Sequence, residues 1–350
     1  MILIVRHGPK RGRDPRYNQS HLRAVRRRDP ALYRRLRFYE TGAPPPSLDG
    51  VDAVVFWLGD PLRELYPDCY ADAMIIADAA RARGLTVINP PEALSNTTKS
   101  VQSGLWRAAG IPTPPYTRCE DRDTLRAQLE TADLPHLVRR DEKHGQRPTR
   151  ICRRRAEAAA LAEEWPHFPC SIAPLVDVRQ MYRDAGHDDI WSRYHHVRRA
   201  AVFGSAVLNE NILLAESPIV CVATSLHREW EKGPFFRREF GPLSPDLKRC
   251  LQAEADFWAT EADCRDLMLK AAATLGLQYL AFDYCRLPDD KIILWEANPY
   301  FLMAPINKRV LWRKRNFRQH YDVLDRALAG FLRSLLNAAP APPPMQTLKP

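Results

Sequence analysis

Residues 275–300, LGLQYLAFDYCRLPDDKIILWEANPY, constrain the fold more than any other stretch of this 350-residue chain. Two apolar runs flank a Pro288-Asp289-Asp290 turn, so they are expected to pair as an antiparallel hairpin. Three oxygen-bearing side chains interrupt the apolar pattern: Asp283 in the first run, and Glu296 and Asn298 in the second. Residues two apart in a strand share a face, which places Glu296 and Asn298 side by side. Two carboxylates on an apolar sheet are costly without a compensating charge. Few protein donors, all hard oxygens, suit Mg²⁺. The alternative is a pair of carboxylates at a sheet end bonded to a nearby arginine.

The first hundred residues read strand, helix, strand, helix, strand: 1–5, 51–58 and 85–89 as strands and 71–82 as a helix ended by Gly84. This alternation predicts a mostly parallel α/β layer. Asp29-Pro30 reads as an N-cap and first helical position, opening a helix with Leu32 and Leu36 inward and Arg34, Arg35 and Arg37 mostly outward. Ser95 or Asn96 is expected to cap a helix running to Ala109, stopped by Gly110. Two strands, 136–140 and the segment before Cys152, flank a polar loop around Gly145, and a helix follows over 156–164. Strands then dominate: 170–178 and 199–208. A single long helix is expected over about 251–275, and a last one over 321–336. The tail, AAPAPPPMQTLKP, is too low in complexity to bury a core.

Residues 85–310 resemble the ATP-grasp superfamily, which includes D-alanine–D-alanine ligase, glutathione synthetase and a ribosomal-protein glutamate ligase. The resemblance rests on a strand bearing Asp, a turn, then Glu-x-Asn-Pro, with Asp283 and Glu296 thirteen positions apart. It extends to INPPEALSNTTKSVQSGLWRAAGIPTPPY, a lysine-bearing helix followed by Gly-Ile-Pro-x-Pro. It implies α/β and α+β architecture, an ATP-grasp fold with an N-terminal Rossmann-like pre-ATP-grasp domain. The domains would be an α/β unit over 1–94, a small α+β lid over 95–169, a metal-bearing domain over 170–337 and a disordered tail over 338–350. It also implies ATP and Mg²⁺ as cofactors, with Asp283, Glu296 and Asn298 on the metal and Lys99 on phosphate. Arg139 stands where a second phosphate lysine is expected, and Lys143 would add charge in a loop with one glycine, Gly145. Leu175 and Val176 would lie against adenine, although Ala173 stands where the family often carries an acidic or amide residue. Arg199, five residues before Gly204, would face the reacting phosphoryl group, with Arg198 pointing the other way.

The implied activity is an ADP-forming carboxylate–amine ligase working through an acyl phosphate, with a small-molecule or peptide carboxylate and an amine acceptor as partners. A nucleotide-binding sensor or scaffold is the alternative, supported by Arg139 and the sparse glycine loop. A remoter one is nucleic-acid binding through residues 1–40, where twelve Lys and Arg face Asp14, Asp29 and Glu40. That region lacks interleaved stacking aromatics, so nucleic acid is not the expected partner. Its arginines would serve substrate capture at Arg11, Arg13 and Arg16, and be solvated from Arg26 to Arg37. Val5-Arg6-His7-Gly8 resembles a phosphohistidine motif, but so short a match after a strand reads better as a strand ending in a polar turn. No apolar run spans a bilayer, and eight scattered cysteines without C-x-x-C fit reduced thiols. A cytoplasmic protein is therefore expected, and a homodimer is compatible with the sequence.

Overall fold

The computed structural model describes residues 1–8, 16–143, 148–221, 224–226, 245–262, 264–301 and 315–336, without the side chains of 16–20 and 315–318. Three four-stranded sheets organise these residues.

The first sheet is parallel, in the order β2-β1-β3-β4. It opens with β1 (Ile2–Arg6), followed by helix α1 (Arg16–Arg28), the short α2 (Pro30–Tyr33) and β2 (Leu36–Glu40). Then come β3 (Ala53–Trp57), α3 (Leu62–Leu65), α4 (Pro67–Ala82) and β4 (Thr86–Ile88). Strand β3, AVVFW, is buried on both faces, as a central parallel strand requires. The Asp29 carboxylate does cap α2, accepting from the Leu32 N–H. The expected continuation of that helix through Leu36 is corrected, however. Leu36 to Glu40 pair with Ile2 to Arg6, and the hydrogen bonds of an otherwise exposed β1 edge outweigh local helix preference.

The second sheet, β5-β8-β6-β7, is antiparallel where paired. Two helices, α5 (Pro91–Ser95) and α6 (Lys99–Ala108), lead into β5 (Thr117–Cys119), α7 (Arg122–Thr131), β6 (His136–Arg140), β7 (Thr149–Cys152), α8 (Arg155–Glu164) and β8 (Cys170–Pro174). The helix expected from Ser95 or Asn96 therefore begins at Lys99, after a separate turn of helix. The strand expected over 170–178 ends at Pro174, because the Asp177 carboxylate accepts from the Gln180 N–H and starts α9 (Val178–Asp184).

After α10 (Ile190–Arg193), the third sheet, β10-β9-β11-β12, is antiparallel throughout. Strands β9 (His195–Phe203) and β10 (Ala206–Ala215) precede α11 (Pro245–Ala259) and α12 (Arg265–Leu275). Strands β11 (Tyr279–Arg286) and β12 (Ile292–Asn298) and helix α13 (Arg315–Ser334) follow. The single helix expected over 251–275 is two. Asn209 Nδ2 on β10 donates to the Phe257 and Thr260 carbonyls at 2.7 and 3.2 Å, taking the acceptors at the end of α11. One face of this sheet (Ala200, Val202, Phe282, Leu294) shares a core with residues of α6, α11 and α12. The other (Ala201, Phe203, Tyr279, Ala281) packs with the first sheet and α13. Gly145 and the tail over 338–350 lie outside the described residues.

Candidate functional site

The hairpin carries its polar residues to the face opposite the α6–α11–α12 core. Asp283 pairs directly with Glu296, and the next pair is Tyr284 with Leu294, so Trp295 is an extra residue at a bulge. On the other side, Asp283 pairs with Arg199 of β9. Directly opposed residues share a face, and here the guanidinium grips the carboxylate twice: Arg199 Nε to Oδ1 at 2.6 Å and an Arg199 terminal nitrogen to Oδ2 at 2.9 Å. Burial disfavours the Arg199 cation, but the Asp283 charge and hydrogen bonds prevail and hold its pKa above the ordinary arginine value. Asn298 Nδ2 lies 3.3 Å from Asp283 Oδ2.

Glu296 is held by two cations from distant parts of the chain. Lys99 Nζ is 2.8 Å from Oε1, its side chain only 1% exposed, and Arg139 reaches Oε2 at 3.8 Å. Burial pulls the Lys99 ammonium below the ordinary lysine value; Glu296 opposes that shift, and neighbouring Arg139 adds to it.

Three attachments explain why these residues meet. Gln102, one turn along α6, accepts from the Ala297 N–H at 2.9 Å and donates to the Trp295 carbonyl at 3.4 Å, docking the helix on β12. Thr98 makes no side-chain cap at the start of α6. Asp141, just past β6, takes that role from a distance: its Oδ1 accepts from the Ser100 N–H at 2.9 Å and its Oδ2 from the Ser100 hydroxyl at 2.6 Å. The Lys99 N–H donates to the Asp141 carbonyl at 3.1 Å. These bonds bring the end of β6, with Arg139, against the start of α6.

The third attachment comes from the parallel sheet. Buried Asp60, beyond the carboxyl end of β3, is a negative charge acting on Lys99 in the same sense as Glu296. Beside it His7 Nε2 accepts from the Gly59 N–H at 2.7 Å, with its ring 4.8 Å from Tyr66 and 6.2 Å from Tyr300. Open parallel sheets bind ligands beyond the carboxyl ends of their strands, and here that crevice adjoins the Lys99–Glu296 pair.

No family model and no curated protein matches the chain. Solved structures do. The ATP-grasp ligase PsnB with its minimal precursor matches at a TM-score of 0.53 and 16% identity over 94% of this chain and 98% of its own. The chain has the ATP-grasp fold. A RimK-domain ATP-grasp protein from Sphaerobacter thermophilus matches at 0.51 and 12% over 94% and 98% of the two chains. D-cycloserine synthetase DcsG matches at 0.51 and 14% over 95% and 100%.

Within this ATP-grasp fold the remaining sequence candidates make separate local contacts. The Lys143 carbonyl accepts from Arg139 at 3.2 Å. Leu175 donates its N–H to the Pro135 carbonyl at 2.9 Å, and Val176 packs against the small cluster of Val178, Tyr182, Cys285 and Leu287. Arg198 points away from Arg199, its guanidinium over the rings of Trp191 and Phe257. Arg11 and Arg13 lie outside the described residues, as does the Arg16 side chain. Of the arginines expected to be solvated over 26–37, Arg26, Arg27, Arg34 and Arg35 are exposed, but some also pair with acids. Arg27 pairs with Asp325 and Arg28 with Asp322 on α13, while Arg35 lies 3.4 Å from Asp52. The pairs of Arg27 and Arg28 link α1 to α13, while the arginine heads remain partly in water.

Among the described residues no group of three or more His, Cys, Asp or Glu side chains is arranged to hold a metal. Asp283, Glu296 and Asn298, the residues that the sequence resemblance implies for Mg²⁺, are two carboxylates and one amide. Their hard-oxygen chemistry fits an ion that completes its shell with water and phosphate. Both carboxylates already face cations, so such an ion would share them with Lys99 and Arg199. Asp60, Gln102 and Asp141 were missed in the sequence. Asp141 had one local signal, an acid directly after an expected strand; the others had none.

Proposed function

We propose that the chain is an ATP-dependent ligase that joins a carboxylate to an amine through an acyl phosphate, releasing ADP. The observation that carries this reading is the convergence of Lys99 and Arg139 on Glu296, beside the Arg199–Asp283 pair, on one sheet face. Lys99 and Arg139 would hold the polyphosphate from two sides, one from α6 and one from the lid strand. Lys143 would lie over the phosphates, and Leu175 and Val176 beside the base. Mg²⁺, held by Asp283, Glu296 and Asn298, would supply charge neutralisation of the phosphates. Arg199, fixed bidentately by Asp283, keeps a charge aimed at one place, which is how a preorganised cation lowers the cost of charge building on a transferring phosphoryl group. PsnB has been solved with Mg and ADP at a TM-score of 0.52, and the same pair is the proposed cofactor set here. PsnB's bound precursor supports a peptide or other carboxylate as partner.

Among the described residues no helix is long and apolar enough to cross a membrane; the cysteines are free thiols, which is in keeping with the proposed cytoplasmic setting. Incubation with ATP, Mg²⁺, candidate carboxylates and hydroxylamine should yield hydroxamate and ADP in equal amounts, hydroxylamine intercepting the acyl phosphate. Tight nucleotide binding with no ADP from any carboxylate would favour the sensor reading, to which Arg139 in place of a lysine lends support.

A further inference from the structure

Between Asn209 and Asn211 the pairing of β10 with β9 slips. Asn209 faces Ala200 and Asn211 faces Arg199, leaving Glu210 as the extra residue of a bulge. The backbone of that bulge is held from two helices. Trp258 Nε1 of α11 donates to the Glu210 carbonyl at 2.9 Å, and His320 Nε2 of α13 lies 3.1 Å from the same oxygen. Their rings stack at 4.5 Å. The main chain is therefore pinned, but the side chain is not matched. Glu210 is fully buried, and among the described residues neither carboxyl oxygen has a hydrogen-bond partner; nor has Asn211 Oδ1 beside it.

Arg199 makes no hydrogen bond to Glu210; its Nε and one terminal nitrogen are held by Asp283 instead. Asn211 lies directly across from Arg199, on the face of the proposed phosphoryl site. Glu210 feels the charges of both Arg199 and Asp283. Burial, reinforced by Asp283 and Glu254 and opposed by Arg199, pushes its carboxyl up to about 7. A buried carboxylate without a donor is a poor choice for packing alone. Three acceptor oxygens on adjacent residues complement a group with a positive charge and three N–H donors, which describes a primary ammonium.

We infer that Glu210 and Asn211 receive the primary ammonium group of the amine acceptor. This rests on the ligase reading and adds to it the place and chemical class of the second substrate. The amine would sit one strand away from Arg199, where the activated carboxyl group has to meet it.

The test uses the full chain with Mg²⁺ and the non-hydrolysable analogue AMPPNP, with methylammonium chloride as the probe and potassium and tetramethylammonium chlorides at equal ionic strength as controls. Methylammonium should raise the melting temperature well above either control, since tetramethylammonium carries the charge without an N–H. Glu210→Gln should abolish that shift and itself melt higher than the wild type, because it removes an uncompensated buried charge. Asn211→Leu, which keeps Glu210, should weaken the shift at least threefold. AMPPNP affinity should change less than twofold in either variant. An equal shift with potassium would assign the oxygens to a metal cation and overturn the inference. So would an undiminished shift in Glu210→Gln, no shift in the wild type, or a variant that melts several degrees lower. Failure of the wild type to bind AMPPNP would instead sink the ligase reading and leave the ammonium readout standing by itself.

Discussion

At the scale of single residues, the Lys99–Glu296 pair is the most consequential contact in the molecule. Both side chains are more than nine-tenths buried, and a buried ion pair seldom stabilises more than a well-packed apolar pair would. Its retention makes sense if both members are needed by something else, a phosphate for Lys99 and a cation for Glu296. Removing either member leaves the other uncompensated. Lys99→Ala should weaken nucleotide binding by about 1.5–3 kcal/mol, the scale of a charge-assisted hydrogen bond. Isothermal titration with AMPPNP and Mg²⁺ measures it directly. An affinity within twofold of the wild type would mean that Lys99 is only the partner of Glu296. His7 belongs to this scale too: the Arg-His-Gly triplet at the end of β1 places a histidine that accepts from Gly59 and has its ring edge-on to Tyr66 and Tyr300.

Elements position these residues through few bonds. Gln102 joins α6 to β12 by bonds to two backbone groups, the Ala297 N–H and the Trp295 carbonyl. Replacing it with leucine keeps the bulk but leaves a buried N–H without an acceptor, at a cost of about 1–3 kcal/mol. Because the same bonds set the distance between Lys99 and Glu296, Gln102→Leu should lower nucleotide affinity as well as melting temperature. A loss of stability with unchanged affinity would show that α6 is held elsewhere. The β9–β10 turn makes a similar demand. Gly204 has φ +61°, and a Cβ there would come within 2.9 Å of the Phe331 ring. The glycine serves both the turn and the close approach of α13 to the sheet.

For the whole molecule, buried histidines set the response to pH. Burial pushes His21 and His196 down to about 3 and His195 and His320 down to about 4, with Asp177 resisting the shift at His195. Between those values and the ordinary 6.5, the unfolded chain binds protons that the folded chain refuses. Stability should therefore be full above about pH 6.5 and fall as pH drops toward 4, by up to about 1.4 kcal/mol per pH unit for each histidine. Glu210 acts in the opposite sense, its carboxyl taking up a proton in the folded state from about 7 downward; Glu142 and Asp325, also raised by burial, do so at lower pH. Four histidines outweigh these groups in the upper part of the window. Melting temperatures from pH 7.5 to 5 should fall steadily, and a flat profile would mean that the histidines are solvated.

What could be read along the chain was whatever repeats locally. The alternation that made β11 and β12 a hairpin also put Glu296 and Asn298 on one face, because side chains in a strand alternate with a period of two. The spacing of helix and strand in the first hundred residues was legible for the same reason, and so was the capping by Asp29. Tertiary structure decided the rest. Leu36 to Glu40 became a strand because β1 needed a partner, and the helix expected over 251–275 split because a side chain from β10 took its carbonyls. Lys99 met Glu296 through attachments made by Gln102, Asp141 and the parallel sheet, and Glu210 came to lie at a bulge in β10 without a hydrogen-bond partner among the described residues. Each outcome depends on hydrogen-bond partners brought from afar in the chain, and a buried donor or acceptor takes its partner from wherever the fold supplies one.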